Sequence, residues 1–281
     1  MKTISPAILV LAMLGAAHPA SSQPASESPV SGTLAEAQRH FYSGRYETAA
    51  ALAMDARTVD AENLAASELR SSALLFEIKR TFGEPEDKDK AWKACAVCQQ
   101  LMAVFVEETT LGRTLAKARL ATHPADEEAL FFLGKLNLNY IWLHLGPLGR
   151  RTGWGEYWEA RKSLDAVLKT NPDHVRARVA RAWIDYIVDT RVPWGTKWLL
   201  GGGSKGRGLR TVEEAAASDS DADPYAQTEA QFALWDMQVR ERNLTGAIET
   251  ARTLSREFPD NRELVKFLDT HATTAMSRSQ R

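Results

Sequence analysis

Cys95 and Cys98, in the run Cys95-Ala96-Val97-Cys98, are the two cysteines of this chain and the residues best equipped for covalent chemistry. On a predicted helix over 88–108, a three-residue spacing puts both thiols on one face. Two readings follow: a structural bridge or buried thiol pair, or a redox pair whose close spacing favours a thiolate. Mid-helix placement, the lack of a strand–helix context and the lack of a proline after Cys98 weigh towards the structural one. Haem attachment would need histidine at position 99, where Gln99 stands, and zinc would need two further ligands close by. His40, His123, His144, His174 and His271 are scattered, without a His-Glu-x-x-His helix or a Ser-His-Asp order. Glu107-Glu108 reads as a solvated helix face, and Asn243-Leu244-Thr245 matches a glycosylation acceptor by pattern alone. The expectation is a protein without catalytic residues, cofactor or metal.

Binding chemistry is better represented. Five of the eight tryptophans fall between Trp154 and Trp198. Lys and Arg exceed Asp and Glu by about 7 from Leu148 to Arg210, and fall short by about 7 from there to Thr270. The run Gly201-Gly202-Gly203-Ser204-Lys205-Gly206-Arg207 feeds a predicted helix near Leu209. A glycine loop opening a helix beside Lys and Arg suits phosphate, carboxylate or a chain terminus. It is not a nucleotide-binding P-loop, because the Gly-Lys-Ser/Thr triplet that such a loop needs never occurs in the chain. The expected site is Trp154, Arg191, Trp194, Lys197, Trp198, Gly201, Gly202, Gly203, Lys205 and Arg207. Trp194 and Trp198 would be apolar anchors, the basic side chains would meet anions, and the glycines would present backbone N–H groups. The competing reading is that the tryptophans fold the segment against its neighbours while the basic run pairs with the acidic C-terminal third.

These residues need elements to hold them, and the chain announces those by repetition. Pro124, Pro172, Pro224 and Pro259 each close a stretch with a small or apolar residue eight positions earlier: Ala116, Leu164, Ala216 and Ala251. Ala160, Val212 and Ala247 precede the last three prolines by twelve. Small residues at such offsets let helices cross closely, and proline stops one helix before the next begins. Gly44-Arg45-Tyr46 through Asp60, and Gly155-Glu156-Tyr157 through Asn171-Pro172-Asp173, resemble the second helix of a tetratricopeptide repeat, and Leu133-Gly134 resembles a pair from its first helix. That resemblance implies an all-α, right-handed solenoid of stacked helical hairpins, a scaffold that binds proteins or peptides. Against the ~34-residue period, the Pro124–Pro172 interval is about fourteen residues too long and the Pro172–Pro224 interval about eighteen. Both excesses fall between the two helices of a hairpin, around 145–154 and 191–207, so the inserts should emerge on one side of the array. Over 61–124 the signature weakens, and long helices are predicted over 62–80, 88–108 and 110–121, with a terminal capping helix over 260–273.

Whole-chain properties set the context. A net charge of -1 over 281 residues is near neutral, which disfavours a dedicated nucleic-acid binder. Residues 1–22 read as a secretory signal: Lys2, an apolar run from Ala7 to Leu14, then small residues. The apolar run is too short for a permanent membrane span. Residues 23–32 would form a flexible leader, 33–276 a single array, and 277–281 a disordered tail. The expected molecule is a periplasmic scaffold binding a protein or peptide partner of the cell envelope. Capture of a small anionic or aromatic ligand, and thiol–disulfide exchange through Cys95 and Cys98, are the alternatives.

Overall fold

The computed structural model describes residues 29–149, 153–192, 194–218 and 225–278. The expected export signal, most of the leader and the last residues of the tail lie outside that set. Among the described residues every regular element is helical: α1 (Pro29–Tyr42), α2 (Tyr46–Val59), α3 (Leu64–Phe82), α4 (Lys88–Ala94), α5 (Ala96–Thr122), α6 (Glu127–Leu145), α7 (Trp154–Thr170), α8 (Val175–Arg191), α9 (Lys205–Ala217), α10 (Ala226–Arg240), α11 (Leu244–Glu257) and α12 (Arg262–Arg278). A tight insert helix, Trp194–Leu200, lies between α8 and α9. Polar residues start many of these helices. Asn63, Asp87, Asp126, His174, Ser204 and Asn243 each accept a hydrogen bond from a backbone N–H three residues on, satisfying a donor the helix cannot.

The helices pair as hairpins α1/α2, α3/α5, α6/α7, α8/α9 and α10/α11, with α12 capping the end. The small residues of the repeat are where they cross: Ala49, Ala53, Ala116, Ala160, Leu164, Val212, Ala247 and Ala251 are fully buried. Gly134 explains the Leu-Gly pair. A β-carbon there would lie 2.8 Å from Leu164 Cγ, so only glycine lets α6 approach α7 at this point. Residues 146–153 and 192–204 fall between the two helices of their hairpins, as the interval lengths required.

One boundary differs from expectation. Residues 96–122 form a single 27-residue helix, and the predicted helix over 88–108 breaks at Cys95 instead of ending near Thr109. Thr109 stays helical, and its hydroxyl donates back to the Phe105 carbonyl at 2.8 Å. The break at Cys95 coincides with the disulfide that ties it to Cys98.

The array also closes on itself. The Tyr42 ring stacks on Tyr225 at 5.7 Å and Phe232 at 5.3 Å, and tilts against Phe258 at 5.8 Å. Asn261 Nδ2 donates to the Tyr42 carbonyl at 2.7 Å, and Tyr225 donates to the Ala35 carbonyl at 3.1 Å. Across the inner side, Glu68 of α3 meets Arg176 of α8 at 3.3 Å and Lys135 of α6 at 3.7 Å. Glu229 of α10 meets those two cations at 2.6 and 2.5 Å. Four first helices are thereby tied through one ionic hub. No described helix is long and apolar enough to cross a membrane.

Candidate functional site

The insert after α8 begins with the helix Trp194–Leu200 and turns through Gly201 and Gly202, at φ +71 and +70. Both glycines adopt a left-handed conformation that side chains disfavour. Gly203 serves a different need. A β-carbon there would sit 2.6 Å from the Asp185 carbonyl oxygen, so glycine lets the insert lie directly on α8. The Gly201 and Gly202 N–H groups donate to the carbonyls of Trp198 and Lys197, at 3.1 and 3.0 Å. Their carbonyls, with that of Leu200, receive the Arg161 guanidinium of α7 at 2.9–3.3 Å. The Tyr157 hydroxyl adds a 2.7 Å bond to the Leu200 carbonyl.

The junction between the glycines and α9 holds Asp189 of the chain itself. The Asp189 carboxylate accepts from the Lys205 backbone N–H at 2.8 Å at the start of α9, and from the Lys197 ammonium. The bond from Lys197, then that from the Lys205 backbone, holds its pKa below the usual carboxylate range. The Lys205 ammonium reaches Glu241, the C-cap of α10, at 2.7 Å, which raises the lysine pKa and lowers that of Glu241. Arg207 pairs with Asp185 at 2.9 Å, and Arg181 meets the same carboxylate at 2.7 Å. The basic run therefore has internal acidic partners, one of them in the acidic C-terminal third. Sequence reasoning missed Arg161, Asp185, Asp189 and Glu241. The i, i+4 spacing of Asp185 and Asp189, which puts both on one face of α8, was the available signal.

The aromatic residues are disposed differently. Trp154 and Trp158, one turn apart on α7, are 58% and 45% exposed. Trp198 and Leu199 of the insert helix are 72% and 53% exposed. Trp198 Nε1 donates to the Gly195 carbonyl at 3.1 Å, which holds the exposed indole to its own turn. Because Tyr157 and Arg161 clamp the insert to α7, the two exposed pairs ride on elements in direct contact, together termed the α7–insert shelf. Trp158 had no place in the expected site. Arg191 is exposed at the end of α8, and the Trp194 side chain lies outside the described residues.

Cys95 and Cys98 lie elsewhere, joined in a disulfide with Cα atoms 5.2 Å apart. Their expected mid-helix placement is corrected: Cys95 is the N-cap of α5, and its sulfur accepts from the Cys98 N–H at 3.2 Å. Cys95 is partly exposed and Cys98 fully buried. Among the described residues no group of three or more His, Cys, Asp or Glu side chains is placed to hold a metal ion.

No protein-family model and no curated protein matches this chain. Among solved structures, it is similar to the crystal structure of a thermophilic tetratricopeptide-repeat protein from Thermus thermophilus. The identity is 14%, with 85% of this chain and 97% of the other covered, at a TM-score of 0.46.

Proposed function

We propose that this protein is an exported, non-catalytic scaffold that docks a protein or peptide partner of the cell envelope on the α7–insert shelf. The observation that carries the reading is the exposure of Trp154, Trp158, Trp198 and Leu199 on two elements clamped by Tyr157 and Arg161. Exposed aromatic patches of this kind mark interaction surfaces, and tryptophan dominates interface energetics. The clamp supports preorganisation, because a rigid shelf loses little freedom on binding. The internal pairing of Lys197, Lys205 and Arg207 favours a partner presenting apolar side chains over a small anion. Likewise the ionic hub across the inner face favours docking on the shelf over docking in an open groove. Export rests on the apolar N-terminal run of the sequence.

The test is affinity capture from an envelope extract using full-length protein carrying its native N-terminus. Replacing Trp154, Trp158 and Trp198 together by alanine is expected to cut retention of the captured partner at least about tenfold, the scale of hot-spot truncations. Lys205→Ala is expected to retain it. A triple variant that retains every partner of the unaltered protein removes the shelf from the proposal.

A further inference from the structure

We propose that the Cys95–Cys98 disulfide is a thiol–disulfide exchange site that takes electrons from a partner dithiol, with Cys95 as the sulfur that is attacked. This goes beyond the docking shelf and rests on different residues. Three features of the geometry converge. The first is position: Cys95 caps a 27-residue helix, with its sulfur at the end of the helix that favours negative charge. A thiolate released there is stabilised, and stabilising the reduced form makes the disulfide a better oxidant. The second is asymmetry. Cys95 is partly exposed whereas Cys98 is 0% exposed, so an incoming thiolate meets one sulfur and not the other.

The third feature is the surround. Ala94 and Ala96 are exposed beside Cys95, and Val97 is 55% exposed, so small and apolar groups flank the accessible sulfur. Lys90 and Lys93 are exposed on α4, a seven-residue helix without a buried residue. On the acidic side, Asp87 is engaged in capping α4 through the Lys90 N–H at 2.9 Å, and Asp89 is exposed in its first turn. An extended polypeptide can approach such a rim without displacing core residues.

The chemistry balances without an external oxidant. A partner thiolate attacks Cys95 Sγ, forming a mixed disulfide and expelling Cys98 as a thiolate, which takes a proton. The second partner thiol loses its proton and attacks the partner's sulfur in the mixed disulfide, releasing Cys95 as a thiolate. The partner dithiol is oxidised by two electrons to a disulfide, and Cys95 and Cys98 are left reduced.

The probe is a reduced dicysteine peptide mixed with the oxidised full-length protein and followed by mass spectrometry. Peptide disulfide is expected to appear mole for mole with reduced protein. In the reduced protein, Cys95 should alkylate at least about tenfold faster than Cys98, reflecting its exposure and thiolate character. A Cys98→Ala protein should accumulate a stable mixed disulfide with oxidised glutathione at Cys95, and Cys95→Ala should not do so at Cys98. A native disulfide left intact by the peptide, or equal alkylation of the two thiols, overturns the proposal. Both of those readings use the unsubstituted protein, so a variant that fails to fold does not shield it.

Discussion

Glu229 shows how single residues here are decided by partners far away in the chain. Burial pushes its carboxyl upward, but Lys135 and Arg176 outweigh burial and hold its pKa at about 2, against an ordinary 4.5. A depressed carboxylate contributes stability that is full above about pH 4.5 and is lost as pH falls towards 2. Glu229→Gln leaves both cations to share Glu68, and breaking such a buried pair costs about 3 kcal/mol. Urea unfolding across pH should show that loss at neutral pH and a flatter stability profile between pH 4.5 and 2; an unchanged profile would separate Glu229 from the acid sensitivity. In the sequence, Glu229 was one more acidic residue of a negative segment. Lys197 and Lys205 were legible as anion binders because glycines and a helix start accompany them. Their anion was not, because Asp189 precedes them on another helix and its direction depends on how the insert folds back. Cys95 was hidden for a related reason. Nothing in Lys93-Ala94-Cys95-Ala96 breaks or caps a helix by propensity, and the break coincides with the bond to Cys98.

At the scale of elements, the described residues of the insert are held by a few polar pins and one buried leucine, Leu200. The partly exposed Lys197–Asp189 ion pair contributes roughly 0–1 kcal/mol, so it organises the segment more than it stabilises the molecule. Asp189→Asn removes the charge that both Lys197 and the start of α9 engage. The expected outcome is faster amide exchange and faster tryptic cleavage at Lys197, with a midpoint of thermal unfolding within a few degrees of the unaltered protein. An equally protected Lys197 would show that the Tyr157 and Arg161 clamp secures the insert without Asp189. The location of both inserts was legible, because intervals between prolines are counted along the chain. The clamp on the second was not. Arg161 lies on α7 as an ordinary basic residue, and its carbonyl partners are backbone atoms that sequence does not distinguish.

For the whole molecule, closure distinguishes this array from an open stack in which each repeat contacts only its neighbours. Tyr42 is the centre of the seam, with three aromatic rings from the far end of the chain and the Asn261 amide around it. Tyr42→Ala should cost about 3 kcal/mol as a large-to-small change in a packed site. Hydrogen exchange should then rise together in α1 and α10, which lie far apart along the chain. A rise confined to α1 and α2 would mean the ends are energetically independent. By itself the sequence determined the local grammar: helices from the small-residue spacing, their ends from prolines and polar caps, and the sites of the inserts from the overlong intervals. These are short-range effects, settled by residues a few positions apart. Only the tertiary structure decided which charges cancel, which tryptophans remain exposed, where the cysteines break their helix and that the two ends meet. The meeting of the two ends depends on the accumulated curvature of many stacked hairpins, and contacts such as Tyr46 with Glu263, 217 residues apart, leave no periodic trace along the chain.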